Sequence, residues 1–167
     1  ELDSLDVDSY DMCMVGYNLK NTLSDNGFVS RGECFVNNAN ELIEITERLH
    51  IERVGSEIFR KDESGALVSM LENTIVSMNF WGFTPKYLEV VEEAFHLFLK
   101  ERSLELKSEF FIPSVVNNIL KSKLGKVKVL TSDAKWMGVT YAEDRASVVK
   151  EVARLKKQRV YPKDLWS

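Results

Sequence analysis

Three short stretches of the chain hold side chains that could do chemistry on a polar ligand. Glu47 and Arg48 stand next to each other, a carboxylate that accepts hydrogen bonds beside a guanidinium that donates them in a planar fork. A sugar phosphate calls for both: the carboxylate accepts from ring hydroxyls and the guanidinium grips phosphate oxygens bidentately. The same two residues at a strand end also read as an exposed charge pair that contributes little. Asn79 interrupts the apolar run VSMNFWGF, residues 76–83. A buried amide has to be paired, so it either ties down a neighbouring loop or offers itself to ligand hydroxyls. Trp81 supplies a flat apolar face that fills a core or stacks on a sugar. Gly32, after Arg31, is a strand irregularity or a point where backbone meets ligand.

Conventional catalytic clusters are missing. His50 and His96 are far apart, no serine sits in a nucleophile elbow and no glycine-rich loop opens a helix. Cys13 and Cys34 lack the paired spacing of zinc sites and read as two small buried thiols in a reducing compartment. A formal net charge of −4 gives no strong positive field for nucleic acid or an anionic membrane. The basic clusters from Lys121 to Lys128 and Arg154 to Arg159 accordingly read as solvated faces. No apolar run approaches the roughly 18 residues of a membrane span, and the expected compartment is the cytoplasm. No metal site is expected.

The elements that must position these residues follow from the hydrophobic pattern. Residues 1–10 are acidic without an apolar stripe, a linker or short charged helix, and 11–167 form the remaining unit. Met12 to Tyr17 reads as a first strand buried on both faces. From Val29 to Phe83, β-like runs alternate with turn signals at 37–40 and 62–65, giving a β-rich insertion in which Glu47 and Arg48 close the strand Leu42 to Thr46. Thr84 and Pro85 are a cap and first-turn pair for a helix whose inward face is Tyr87, Leu88, Val91, Ala94, Phe95 and Phe98. A second helix is expected from Pro113 to Lys123, with Val115, Val116, Ile119 and Leu120 inward and Gly125 as its stop. A strand over Lys126 to Leu130 and a helix over Ala142 to Gln158 follow, and the aromatic tail from Tyr161 to Trp166 is expected to dock on the body. The order suits an α/β sheet with flanking helices.

Five pieces, MVGYNLKNTLSDNGFVSRGECFV, ITER, VSMNFWGF, SEFFIPSVVNNIL and KWMGVTYAED, resemble in that order the later part of bacterial sugar-1-phosphate nucleotidyltransferases. The resemblance implies a partial Rossmann-like mixed sheet of GT-A type, lacking the amino-terminal nucleotide-binding half. It implies a parent enzyme in which a sugar 1-phosphate attacks the α-phosphorus of a nucleoside triphosphate with Mg²⁺ assisting, giving nucleotide sugar and pyrophosphate. By position, Gly32 resembles the glycine whose N–H meets the sugar, Glu47 the glutamate that accepts from its hydroxyls, Arg48 a basic neighbour facing phosphate, and Asn79 a sugar-contacting residue. Gly138 or Thr140 stands where the second metal ligand of the family is expected. The family's glycine-rich loop and first metal-binding aspartate would precede Glu1, so this chain alone is expected to bind the acceptor sugar and not to transfer nucleotides. The first strand is then expected to keep an exposed edge that could pair with a second copy. The alternatives are a non-catalytic sugar-binding module and a subunit-interaction domain using the helix that carries Phe95 and Phe98.

Overall fold

The computed structural model describes residues 1–139, 141–162 and 164. Seven strands form one mixed, curled sheet: β1 (Met12–Asn18), β2 (Val29–Val36), β3 (Leu42–Val54), β4 (Glu57–Lys61), β5 (Leu67–Met70), β6 (Ile75–Phe83) and β7 (Val127–Ser132), in the order β5-β4-β3-β2-β6-β1-β7. Only β1 and β7 are parallel neighbours; every other pair is antiparallel. Three helices accompany the sheet: α1 (Lys86–Arg102), α2 (Ile112–Lys121) and α3 (Asp144–Lys157). The chain is therefore α/β, with the β-rich insertion realised as β2 to β6 and the turn signals at 37–40 and 62–65 joining β2 to β3 and β4 to β5. No helix among the described residues is long and apolar enough to cross a membrane.

Because successive side chains alternate across a strand, the register assigns each residue to a face. Gly16, Ser77, Gly32 and Glu47 stand opposite one another on one face, and Tyr17, Val76, Glu33 and Thr46 on the other. The first face carries the larger core, in which Met12, Met14, Cys34, Ile45, Val127 and Val129 pack against Tyr87 of α1 and Val115, Val116 and Ile119 of α2. The second carries Leu19, Val29, Ile51, Ile58, Met70 and Val76. Ile45 and Ile51 have the same strand parity yet enter different cores. The reason is a bulge: β3 places Leu49 and His50 opposite the single residue Ser30, which inverts the alternation.

Several expectations are corrected. β3 does not end at Thr46 but runs on to Val54, since its far half pairs with β4. β1 lies between β6 and β7 and has no exposed edge; β7 is marginal, and its outer side receives the β2–β3 turn, with the Val129 N–H donating to Asn40 O at 2.8 Å. On α1, Leu88 and Phe95 are exposed, not inward. The Thr84 hydroxyl does not cap α1 but donates to Ser9 O at 2.6 Å, tying the acidic amino-terminal segment to the body. α2 stops at Ser122 with Lys123 in the left-handed region, ahead of Gly125. Tyr161 is exposed, while Leu165 and Trp166 of the expected docking tail lie outside the described residues.

The near half of β3 has no β4 beside it, so its outer backbone groups need other partners. Asn117 of α2 supplies them: its Oδ1 accepts from the Ile45 N–H at 3.0 Å and its Nδ2 donates to Ile45 O at 2.6 Å. One amide side chain thus stands in for a strand neighbour and fixes α2 two residues from Glu47.

Candidate functional site

The sheet splits at one point. β2 and β6 pair only through Gly32 with Ser77 and Glu33 with Val76. Beyond Ser77, the residues Met78, Asn79 and Phe80 all face the single residue Val15 of β1, and Asn79 takes a left-handed conformation at φ 56°. The surplus length bends β6 away from β2, while β2 stays with β3 as far as Val29. A fork opens with Gly32 and Ser77 at its base.

Around that base the structure brings together Gly32, Glu47 and Asn79. Gly32 pairs with Ser77 on one side and Glu47 on the other. A Cβ on Gly32 would lie 2.7 Å from Ile45 Cδ1, so the missing side chain is what lets Ile45 cross β2 into the core. Asn79 is exposed, contrary to its expected burial. Its N–H donates to the Ser77 hydroxyl at 3.0 Å and its Oδ1 accepts from Trp81 Nε1 at 3.4 Å, while its Nδ2 meets no acceptor among the described residues. Glu47 is half-buried and has neither a hydrogen-bond nor an ion-pair partner among the described residues. Burial pushes its carboxyl above the ordinary value, Glu109 adds to this and the Arg31 charge opposes it.

Arg48 does not join this group. As the next residue on an uninterrupted strand it points to the opposite face, where its Nε donates to Glu33 Oε2 at 2.8 Å. The sequence reading also passed over Arg31, which is 9% exposed. Its guanidinium donates to Ser30 O at 2.7 Å and to Thr22 O, its Nε meets no acceptor among the described residues, and it lies 4.9 Å from the centre of the Trp136 ring. Burial lowers its pKa to about 10, against the attraction of Glu47. The available signal was the lone cation between Val29 and Cys34 in a strand otherwise rich in small and apolar residues. His50 stacks on Phe28 at 4.2 Å and meets Glu52 at 3.0 Å, and His96 is exposed on α1. Cys13 and Cys34 are both buried free thiols.

On the Arg31 side of the sheet, Trp136 lies over the guanidinium and the Tyr141 hydroxyl donates to Phe28 O at 3.0 Å. A Cβ on Gly138 would sit 2.0 Å from the Trp136 ring, so an aspartate there is incompatible with an indole resting on Arg31. Thr140 lies outside the described residues. Asp144 accepts from Asn26 Nδ2 at 2.6 Å, Ser24 Oγ at 3.2 Å and the Tyr141 N–H at 2.9 Å, which occupies both oxygens in holding loop 24–28 to the start of α3. Among the described residues, no three carboxylate, histidine or cysteine side chains converge as a metal cradle.

No protein-family model matches the sequence, and no curated protein matches it.

Proposed function

We propose that this chain carries the acceptor-sugar half-site of a sugar-1-phosphate nucleotidyltransferase, its curled sheet being the later part of a Rossmann-like, GT-A-type domain in the cytoplasm. One observation supports the reading most: a half-buried carboxylate, Glu47, at the base of a fork in the sheet, with no hydrogen-bond or ion-pair partner among the described residues. Keeping such a group desolvated and unpaired is costly, and ligand hydroxyls are the partners that relieve the cost. Asn79, raised on its bulge, complements it with two side-chain N–H donors that meet no acceptor among the described residues, so hydroxyls can be met as donor by one side chain and as acceptor by the other. Gly32 and Ser77 form the floor. Arg48, paired with Glu33 on the far face, takes no part in the half-site. Positioning the sugar would be the contribution of these residues to the in-line transfer.

Titration of the ¹⁵N-labelled chain with a panel of sugar 1-phosphates tests this. Saturable shifts are expected at the amides of Gly32, Glu47, Ser77 and Asn79. Shifts confined to other regions, or none with any sugar phosphate, overturn the proposal.

A further inference from the structure

The two longest helices are the least buried. α1 has 17 residues and buries only Tyr87, and α3 has 14 and buries only Asp144, whereas the 10 residues of α2 bury four. Helices in proteins owe most of their stability to the packing of an apolar face, and both of these leave such a face open.

On α1, Leu88, Phe95 and Leu99 recur at seven and four positions, which sets them on one side of the helix. They are 65%, 41% and 41% exposed. Glu92 lies within this stripe and Glu89 along its solvent side, both exposed; Glu89 also meets Lys86 at 2.9 Å. The open face of α3 is of the opposite kind. Ala146, Val149 and Ala153 recur at three and four positions, small side chains that are all exposed. Lys150 and Lys157 flank them on one side and Arg145 on the other, and none of these three cations has an ion-pair or side-chain hydrogen-bond partner among the described residues.

The two faces complement each other in shape and in charge. Packed helices seat the ridges of one in the grooves of the other, at a distance set by the side chains in contact. The leucines and phenylalanine of α1 are ridges, and the alanines and valine of α3 leave a shallow channel. Leu88 to Leu99 covers eleven positions, about 16 Å, and Arg145 to Lys157 twelve, about 18 Å, so the two match in length. Neither face suits a copy of itself: α1 on α1 brings carboxylates together and α3 on α3 brings cations together. Both are open within one chain, so the molecule that offers each of them its complement is a second copy.

We infer that α1 of one molecule docks on α3 of a second copy, with Leu88, Phe95 and Leu99 seated over Ala146, Val149 and Ala153 and with Glu89 and Glu92 facing Lys150 and Lys157. The contact joins two different surfaces, so it closes as a dimer when both copies supply both helices and otherwise extends into chains.

Sedimentation and light scattering from micromolar to millimolar concentration test this. The mass of the unaltered chain should rise with concentration, and the association should weaken as salt is added, because exposed charge pairs are screened. Glu89→Lys with Glu92→Lys makes both faces basic, and Lys150→Glu with Lys157→Glu makes both acidic. Each double variant alone should associate roughly tenfold more weakly, two attractions having become repulsions. An equimolar mixture of the two sets opposite charges face to face again and should associate as the unaltered chain does. All four positions are exposed, and a variant that had lost its fold could not be rescued by mixing, so the mixture separates docking from folding. A monomer at every concentration overturns the proposal and leaves the two faces to a different partner. Undiminished self-association of either double variant, or a mixture that stays monomeric, overturns it as well. No ligand enters these measurements, so none of their outcomes touches the acceptor reading of Glu47.

Discussion

Replacing Glu47 by glutamine keeps the side-chain shape and deletes one charge. The carboxyl is half-buried and unpartnered among the described residues, and burial and Glu109 raise its pKa against the opposing attraction of Arg31. A carboxyl raised in the folded state favours folding while protonated. That contribution is fully present below the unfolded value of about 4.3 and is lost as pH rises through the raised folded value. At neutral pH the unaltered chain thus carries an ionised group at a cost that Glu47→Gln removes. Charge substitutions of this kind contribute about 0.5–2 kcal/mol, and a value near 1 kcal/mol raises Tm by about 2–4 °C in a domain of this size. Thermal unfolding of both proteins between about pH 3.5 and 8 should show no difference at the acid end and a growing advantage for Glu47→Gln towards neutrality. The same variant should bind sugar 1-phosphate about tenfold more weakly, since a charge-assisted acceptor is replaced by a neutral amide. A lower Tm at neutral pH, or a difference that does not change with pH, refutes the reasoning. It would mean that the attraction between Glu47 and the buried Arg31 outweighs burial and Glu109 combined.

Arg31→Met takes donors away from the carbonyls of Ser30 and Thr22 and the cation from beneath Trp136. Urea unfolding should show a loss of about 2–4 kcal/mol, and an unchanged midpoint would mean that guanidinium burial cancels those contacts. Asn117→Leu leaves the N–H and C=O of Ile45 unpaired, each at about 1–3 kcal/mol. Hydrogen exchange at the Ile45 amide should accelerate, and retained protection would contradict the clamp. Gly138→Asp drives a side chain into the Trp136 ring, so Trp136 fluorescence should shift and stability fall by about 1–3 kcal/mol. A variant with unchanged fluorescence and stability would show that the indole yields freely.

The parts of the fold legible in the sequence are those set by local pattern. The apolar run from Met12, the turn signals at 37–40 and 62–65 and the inward face Val115, Val116 and Ile119 all act over a few residues, and the structure has each of them. Pairing between distant segments was not legible. Nothing near Thr46 announces that β3 continues, because what extends it is β4, whose residues Glu57 to Arg60 cover Ile51 to Val54. Leu88 and Phe95 have helix-face spacing, but spacing does not say how fully a face is covered: Leu88 is exposed, and Phe95 stays largely exposed although it meets the rings of Phe98 and Phe110. For the site, residue types were readable at Glu47 and Asn79, whereas the burial of Arg31 depends on Trp136, more than a hundred residues away.

The separation of Glu47 from Arg48 and the opening of the fork have a common origin in strand register. Two adjacent residues can address one ligand only where a strand ends or bulges, since otherwise alternation sends them to opposite faces. β3 does bulge, but at Leu49 and His50, just past the pair, so Glu47 remains on the α1-covered face and Arg48 on the other with Glu33. β6 bulges at Met78 to Phe80, and that irregularity both ends its pairing with β2 and lifts Asn79 beside Trp81. The β3 bulge therefore leaves Glu47 and Arg48 on the faces that alternation gives them and reverses only the residues beyond it, while the β6 bulge makes the fork. Shifting the β3 bulge by deleting Leu49 would carry every residue beyond it to the opposite face, taking Ile51 out of the second core. The irregularity of β6 thus shapes the half-site, while that of β3 keeps Ile51 in the second core.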